Sequence, residues 1–371
     1  MTPARPEMNT KTIQAIRTAL TQWFAVHQRK LPWRQTRDPY AIWVSEVMLQ
    51  QTQVKTAIPY FLDFMAAHPT IRELANANLE TILKSWQGLG YYARARNLHK
   101  AAGIVVQELQ GRIPEDYKTF LSLPGVGNYI ASAVQSIAFD HPFAVVDGNV
   151  KRVLARVFTA ETPVNTSASH RVFQDMADPL LDRKNPGTFN QALMELGALV
   201  CTPKSPRCRA CPLTANCRAL RQARVQAFPV RIKKKKVSTH PVAAGIVRHA
   251  GRVLITRRKL NGLLGGLWEF PGGKVKQGET PETTCAREIL EETGLEIRVD
   301  TKLTRVRHAY THFKIEMDVF YCTCLGGEIR LDGPIDHAWV RPSDLENYPF
   351  PRANLKFLPM IQKGGILGKP D

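Results

Sequence analysis

The sequence lacks any apolar run of the roughly 18 residues needed to cross a membrane, although it is 371 residues long. Its first twelve residues also lack the apolar stretch of a signal peptide, so the expected location is the cytoplasm. Cysteines are few. Four of the seven lie within residues 201–217, and Cys285, Cys322 and Cys324 are scattered. This distribution excludes a disulfide framework and favours a metal site in a reducing compartment.

Acidic residues are scarce relative to basic ones. The chain has 51 Lys and Arg against 32 Asp and Glu, a net charge of +19. Residues 1–236 hold 32 basic and 16 acidic residues, whereas residues 237–371 hold 19 and 16. The excess in the first part predicts a surface that binds a polyanion, with nucleic acid as the partner. A basic surface that only aids solubility is the alternative.

The length of the chain predicts two domains. Between residues 10 and 218, apolar residues recur at three- and four-residue intervals, which predicts an all-α domain. From Val242 onward, short strand-like segments surround a predicted helix at 281–293, which is typical of a small α+β domain. The predicted domain limits are 1–218 and 241–371. A basic linker, 219–240, joins them and either meets phosphates or is merely solvated.

The four clustered cysteines are Cys201, Cys208, Cys211 and Cys217, separated by six, two and five residues. Four thiolates this close can hold one metal centre, which would order a segment poor in large apolar side chains. Chemistry leaves zinc and iron–sulfur open, because both accept four cysteines. The spacing resembles the [4Fe–4S] loop of the endonuclease III and adenine glycosylase family of DNA repair enzymes. That resemblance implies an iron–sulfur cluster here.

A tight turn between two helices is predicted at Leu123-Pro124-Gly125-Val126-Gly127. Backbone N–H groups at the start of the following helix suit a phosphate oxygen. Such a motif by itself is usually just a turn. Upstream of the cysteine cluster, it resembles the helix–hairpin–helix of base-excision DNA glycosylases. The resemblance implies that Gly125 and Gly127 hold double-stranded DNA.

Asp147 lies where an apolar run ends and a helix begins, which predicts a helix N-cap. A carboxylate there is expected to stay ionised, because the helix dipole favours the anion. In helix–hairpin–helix glycosylases, an Asp about twenty residues after the hairpin points into the base pocket, and twenty residues separate Gly127 from Asp147. The resemblance implies that Asp147 supports an oxocarbenium-like sugar and that Asn149 orients the catalytic groups.

Glu46 lies in an apolar helical segment, VSEVMLQQTQV. Burial there would raise its pKa and make it a general acid. Periodicity by itself favours the solvent-exposed face of the helix instead. The string SEVMLQQT, however, resembles the adenine glycosylase signature. The resemblance implies that Glu46 protonates a flipped adenine so that the base leaves neutral.

Residue 129 distinguishes two branches of this family. The endonuclease III lyases carry a Lys two residues after the second hairpin Gly, where it forms a Schiff base, but this chain has Tyr129. The resemblance therefore implies a monofunctional glycosylase that uses water, with Tyr129 positioning Asp147 or the sugar. It also implies that Arg34 contacts the flipped base and that Gln51 and Tyr91 fill the space around the extruded nucleotide. Ordinary packing is the alternative for each.

Residues 273–295 contain a complete Nudix box. Its members are Gly273, Glu279, Arg287, Glu288, Ile289, Glu291, Glu292, Gly294 and Leu295. Glu288, Glu291 and Glu292 would share a helix face that suits Mg²⁺ bridging a diphosphate. Adenine glycosylases of this family carry a Nudix-like C-terminal domain that reads 8-oxoguanine but normally lacks the full box. Lesion recognition is thus the main expectation, and hydrolysis of a nucleoside di- or triphosphate stays open.

The family reads 8-oxoguanine with a Phe-Ser-His hairpin, for which Tyr310-Thr311-His312 is the counterpart here. An ordinary strand turn is the alternative. The combined expectation is a monomeric, nucleoid-associated enzyme that removes adenine opposite 8-oxoguanine or guanine in double-stranded DNA. The competing hypotheses are an endonuclease III-type lyase, a Nudix hydrolase of oxidised nucleotides with a DNA-tethering arm, and a non-catalytic lesion sensor.

Overall fold

The computed structural model describes residues 9–233 and 237–363. Residues 234–236 of the predicted linker lie outside these ranges, as do residues 1–8 and 364–371 of the predicted domains. The described residues form two compact units. The first contains 9–75 and 100–233, and the second contains 76–99 and 237–363.

Helices dominate the first part of the chain, as the periodicity predicted. In chain order they are α1 (Thr10–His27), α2 (Pro39–Leu49), α3 (Val54–Ala67), α4 (Ile71–Asn76), α5 (Leu79–Ser85), α6 (Ala93–Glu108), α7 (Tyr117–Leu121), α8 (Asn128–Ala138), α9 (Gly148–Phe158), α10 (Ser169–Leu180), α11 (Pro186–Leu199) and α12 (Arg218–Arg221). Among the described residues, no helix is long and apolar enough to cross a membrane.

The core of the first unit forms where α1, α9 and α11 pack together. On α1, the buried residues Ile16, Leu20 and Phe24 recur every four positions, so they share one face of the helix. Phe173 and Phe189 fill the same core. This packing fixes the N-terminal end of α9, where Asp147 lies.

The second unit is built on a mixed β-sheet. Its strands are β1 (Thr239–His249), β2 (Arg252–Arg257), β3 (Trp268–Glu269), β4 (Gly272–Lys274), β5 (Glu296–Ala309), β6 (Lys314–Gly326) and β7 (Asp336–Val340), and its later helices are α13 (Pro281–Thr293) and α14 (Leu358–Lys363). The main strand order is β3-β2-β1-β6-β5, with β4 paired to β1 and β7 paired to β2. β1 and β6 run parallel, and the other pairs are antiparallel.

Helix α13 matches the predicted helix at 281–293. Thr280 caps it by accepting a hydrogen bond from the Thr283 N–H, and Gly294 ends it with a φ of 74°. Ile289 and Cys285 of α13 pack on one face of the sheet. A second set of buried aromatic residues, including Trp268 and Phe350, packs on the other face.

Residues 76–99 pack with the second unit, although they lie far from it in sequence. The Trp268 Nε1–H donates to Glu80 at 2.9 Å, and an Arg96 Nη1–H donates to the Gly265 carbonyl at 2.8 Å. Trp86 is fully buried. The predicted domain limits, 1–218 and 241–371, do not separate this segment, and they remain a prediction.

Candidate active site

Helix α2 carries Glu46 into the interior of the first unit. Asp38 caps α2 by accepting hydrogen bonds from two backbone N–H groups, and every residue of the helix from Tyr40 to Met48 is buried. This part of the helix is therefore buried on all sides, and the Glu46 side chain has no solvent-exposed face to occupy. Glu46 is 5% exposed. The structure thus differs from the periodicity argument, which placed Glu46 on a solvent-exposed face.

Tyr129 on α8 donates its phenolic hydrogen bond to Glu46 Oε2. Burial raises the pKa of Glu46 to about 7, and the nearby Asp147 charge adds to this. The hydrogen bond from Tyr129 and the charge of Arg34 act in the opposite direction. Burial and the two neighbouring carboxylates also raise the pKa of Tyr129, so its phenol stays protonated and remains a donor. A buried carboxyl group whose pKa is near 7 is suited to proton transfer.

Asp147 is the N-cap of α9, as the sequence predicted. It accepts from the Val150 N–H at 2.6 Å and from Asn149 Nδ2–H at 2.8 Å. Both hydrogen bonds favour the anion, but burial outweighs them and raises the pKa of Asp147. The helix cap therefore orients this carboxylate, and its hydrogen bonds limit but do not cancel the effect of burial on the pKa of Asp147.

Arg34 is held in place by a carboxylate that the sequence did not reveal as a site residue. Glu195 on α11 accepts from both Nη groups of Arg34, at 3.0 and 3.1 Å, and from three N–H groups of Arg29. These guanidinium groups lower the pKa of Glu195 to about 2, despite its burial. Gln191 accepts from Arg34 Nε–H at 3.1 Å. Arg29, Gln191 and Glu195 together hold Arg34 in one orientation.

These side chains line a single cavity of about 150 Å³. A cavity of this volume can hold one small aromatic ring. Its walls include Arg34, Glu46, Tyr129, Asp147 and Asn149, so the structure brings five predicted site residues together. Gln51 is not among the lining residues. It is exposed in the loop between α2 and α3, with a φ of 60°.

The predicted hairpin precedes α8 and is open to solvent. The Val126 N–H donates to the Leu123 carbonyl at 3.1 Å, and Gly125 has a φ of 78°, a conformation that favours glycine. Gly127 is the N-cap of α8 and has no side chain with which to cap it. Both glycines are exposed, so the backbone around the helix N-terminus is accessible to an oxygen ligand.

The four clustered cysteines line one small, mostly apolar cavity beside α9. Arg156 donates from Nη1 to Cys201 Sγ at 3.3 Å, and Arg152 donates to the Cys201 carbonyl at 2.7 Å. A second Arg152 N–H reaches Asn149 Oδ1 at 2.8 Å. The cysteine segment is thereby tied to the residue that holds Asp147. Within the described ranges, no group of three or more His, Cys, Asp or Glu side chains is arranged to hold a metal ion.

In the second unit, the Nudix carboxylates surround an arginine. Arg287 forms ion pairs with Glu279, Glu288 and Glu291, at 2.7 to 2.9 Å. Glu292 points elsewhere and accepts from the Gly272 N–H at 3.2 Å. Burial and the nearby carboxylate of Glu269 raise the pKa of Glu292 to about 7.

Tyr310, Thr311 and His312 form the turn between β5 and β6. Thr311 and His312 are exposed. The Thr311 hydroxyl hydrogen-bonds the Tyr91 hydroxyl, and Tyr91 is 42% exposed with a φ of 51°. Tyr91, expected beside the extruded nucleotide, and Thr311, expected to read 8-oxoguanine, therefore contact each other within the second unit.

Comparison with known proteins identifies the family. Residues 44–176 match the HhH-GPD superfamily of base excision DNA repair proteins, and residues 242–360 match the NUDIX domain. The adenine DNA glycosylase of Rattus norvegicus is 38% identical, over 90% of this chain and 75% of that protein. The adenine DNA glycosylase of Buchnera aphidicola subsp. Schizaphis graminum is 32% identical, over 82% of this chain and 87% of that protein. The chain belongs to the adenine DNA glycosylase family.

A solved structure supports the fold of the helical part of this adenine glycosylase. A thermostable thymine-DNA glycosylase matches with a TM-score of 0.53 and 29% identity, over 57% of this chain and 98% of that chain. The predicted family, the two-domain architecture and an adenine-directed DNA N-glycosylase activity in base excision repair are therefore confirmed. DNA is the macromolecular substrate of this adenine glycosylase.

Proposed function

We propose that this adenine glycosylase removes adenine mispaired with 8-oxoguanine or guanine, by a monofunctional hydrolytic mechanism. The observation that carries the mechanism is the buried Glu46 carboxyl, hydrogen-bonded by Tyr129 and facing a ring-sized cavity with Asp147 on its wall. Two carboxyl groups with different environments in one site are suited to different roles.

In the proposed reaction, adenine is extruded from the duplex into the cavity. The protonated Glu46 gives its proton to the base, and the bond between the base and the sugar C1′ breaks with its electron pair leaving on the base. Asp147 stabilises the positive charge that develops on the sugar. Water then adds to C1′ and releases a proton, which restores the Glu46 carboxyl.

Tyr129 excludes the lyase alternative within this proposal. A phenol cannot form the imine that a lyase needs, and the Tyr129 hydroxyl is engaged with Glu46. Tyr129 therefore positions the acid rather than Asp147 or the sugar, which refines its expected role. Four of the five Arg34 N–H groups donate to Arg29, Gln191 and Glu195, so one Nη2–H is left to donate to a ring nitrogen of the flipped base.

We propose a [4Fe–4S] cluster held by Cys201, Cys208, Cys211 and Cys217. Their arrangement around one cavity supports this, because a multi-atom cluster spaces its ligands more widely than a single ion does. Burial and the three neighbouring cysteines raise the pKa of Cys211 to about 12, so four thiolates need cationic iron to coexist. When bound, the cluster would order the loop 201–217. The chemistry of base removal does not require it.

For the second unit, we propose recognition of 8-oxoguanine by Tyr310, Thr311 and His312, with Tyr91 wedged beside the lesion. The hydrogen bond between Tyr91 and Thr311 supports a shared role, because it holds the wedge and the predicted reader in one unit. Arg94 lies over the Tyr91 ring at 5.3 Å and supports the exposed tyrosine from behind.

The double variant Thr311→Ala, His312→Ala is expected to lower the preference for 8-oxoguanine over guanine about five- to 150-fold, since each of the two hydrogen bonds lost is worth about 0.5–1.5 kcal/mol and about 1.4 kcal/mol is a factor of ten. Single-turnover excision from the two mispairs measures this ratio. Thr301→Ala, another exposed threonine on β5, is the matched control. An unchanged ratio in the double variant would count against the assignment.

Hydrolysis of an oxidised nucleoside di- or triphosphate is a second candidate function, favoured by the cluster of Glu279, Glu288 and Glu291 around Arg287. Glu288, Glu291 and Glu292 would hold Mg²⁺, whose charge would offset the burial and the neighbouring carboxylates that raise the pKa of Glu292. The full chain with Mg²⁺ and 8-oxo-dGTP is expected to release pyrophosphate.

Glu292→Gln is expected to lower this release about a hundredfold or more, because the metal supplies several kcal/mol and each 1.4 kcal/mol is a factor of ten. Adenine excision should be unchanged. Glu282→Gln, on the first turn of α13 and not one of the members of the box named above, is the control. If the wild type releases no pyrophosphate or phosphate from a panel of nucleotides, the hydrolase function is rejected.

A further inference from the structure

The N-terminal ends of α8, α9 and α10 lie close together, and α8 begins directly after the hairpin. The Asn128 side chain, at the start of α8, lies 3.4 Å from His170 Nε2 near the start of α10. Lys151, in the first turns of α9, donates from Nζ to Ser169 Oγ, the first residue of α10, at 2.9 Å. The positive ends of three helix dipoles therefore converge on one patch that also carries basic side chains.

The patch lies along an open groove of about 510 Å³ in the first unit. His170 is half-buried and Arg171 is exposed, and both line the groove. The hydroxyl of Ser169 donates back into its own loop, so α10 begins without a side-chain cap. None of these residues has a role in the base-removal chemistry, and the sequence motifs did not single them out.

We propose that Asn128, Lys151, His170 and Arg171 bind successive phosphates of the DNA strand that carries the flipped adenine, with His170 charged in the complex. Hereafter these four residues are called the α10 patch. The hairpin would hold one phosphate and the α10 patch those that follow it. DNA fits the patch because the patch is cationic, rich in N–H donors and continuous with the hairpin.

The choice of strand follows from Lys151. Its ammonium lies close enough to Asp147 to interact with that carboxylate electrostatically. Asp147 faces the sugar of the flipped nucleotide, so the phosphates nearest to Lys151 are those flanking that sugar. This step rests on the proposed role of Asp147, whereas binding of duplex DNA to the α10 patch does not.

His170 gives the α10 patch a measurable signature. Partial burial and the charge of Lys151 lower the pKa of His170, and Asp178 on α10 opposes this. Tyr117 and Asp175 also line the groove.

A phosphate beside the His170 ring would favour the imidazolium and raise the pKa of His170. DNA affinity should therefore be gained at low pH and lost as pH rises through the pKa of the complex. Of the classes of side chain facing the groove, imidazole is the one that ordinarily titrates between pH 6 and 8.

The test measures binding of the full chain to a fully paired duplex by fluorescence anisotropy, at pH 6 and pH 8 over a range of salt concentrations. Since each phosphate contact adds about 0.9 to the slope of log Kobs against log salt, the wild-type slope should be steeper by about 0.9 at pH 6. His170→Gln should lose this difference and bind more weakly at pH 6, while its amide can still pair with Asn128.

His27→Gln is the matched control. His27 is an exposed histidine at the C-terminal end of α1, stacked on Trp23 of the same helix, where the negative helix end disfavours phosphate. It should behave as wild type. Equal slopes at the two pH values in the wild type, or a wild-type response in His170→Gln, would overturn the proposal.

A second measurement does not depend on any variant. The imidazole resonances of the wild-type protein, followed by NMR through a pH titration, should show a rise in the pKa of His170 when the duplex is added. The absence of such a rise would reject the contact. Because the duplex contains no mispair, failure here leaves the proposed excision of adenine intact, and failure of excision leaves this binding result standing.

Discussion

Glu46→Gln is expected to reduce the rate of adenine excision by about 10²–10⁴-fold, the usual contribution of a general acid. Burial raises the pKa of the Glu46 carboxyl to about 7, so the group can hold a proton near neutral pH. A glutamine amide fills the same space and can still accept the Tyr129 hydroxyl, but it has no proton to transfer. Strand breakage after hot alkali, from a duplex with adenine opposite 8-oxoguanine, measures the loss.

The pH dependence gives an independent check on this assignment. The reactive form of Glu46 is protonated, and its pKa is raised to about 7. The single-turnover rate of the wild type should therefore fall tenfold per pH unit once pH exceeds this value. The residual rate of Glu46→Gln should not show this fall at high pH.

Glu161→Gln, an exposed substitution in the same unit, is the control and should excise at the wild-type rate. DNA binding should be unchanged in both variants, because Glu46 is buried in the cavity wall. A Glu46→Gln enzyme that excises adenine normally would remove Glu46 from the mechanism. Strand breakage without alkali would instead revive the lyase alternative.

Asp147→Asn is expected to lower excision by about 10²–10³-fold, the range found when one electrostatic stabiliser is removed from an active site. Asparagine caps helices as well as aspartate does, so α9 should keep its N-terminus. The substitution thus removes the charge next to the sugar while preserving the cap. Single-turnover excision together with thermal unfolding separates the two effects.

Asp116→Asn is the matched control for this change. Asp116 caps α7 through the Thr119 N–H and is exposed, so the same substitution alters a cap outside the cavity. It should leave excision unchanged. If Asp147→Asn were destabilised but fully active per folded molecule, Asp147 would be a cap and nothing more.

Much of the fold was predictable because local patterns determined it. The Nudix helix has strong local signals at both ends, Thr280 and Gly294, and its predicted bounds agree with the structure. The hairpin and the cap at Asp147 likewise rest on short-range hydrogen bonds. The placement of residues 76–99 was not predictable, since it depends on contacts with strands that come far later in the chain.

The candidate site shows where local patterns stop being informative. Glu46 in SEVML and Glu195 in LMELG are both acids in apolar helices, and both are buried. Burial raises the pKa of Glu46 to about 7, with Asp147 adding to the rise, whereas hydrogen bonds from Arg29 and Arg34 overcome burial and lower the pKa of Glu195 to about 2. Burial and partners that are distant in the sequence decide the charge, and the sequence near either glutamate does not reveal them.

The packing of residues 76–99 with the second unit has a consequence for synthesis on the ribosome. These residues emerge more than a hundred positions before the strands of the second unit, with which they pack. At about 5–20 residues per second, their apolar side chains wait at least about 5–20 seconds for these strands. Helices α2 and α3 can pair in the meantime, but residues 76–99 do not yet have the strands with which they pack. Chaperone demand and aggregation during expression should therefore peak while residues 100–233 are being translated.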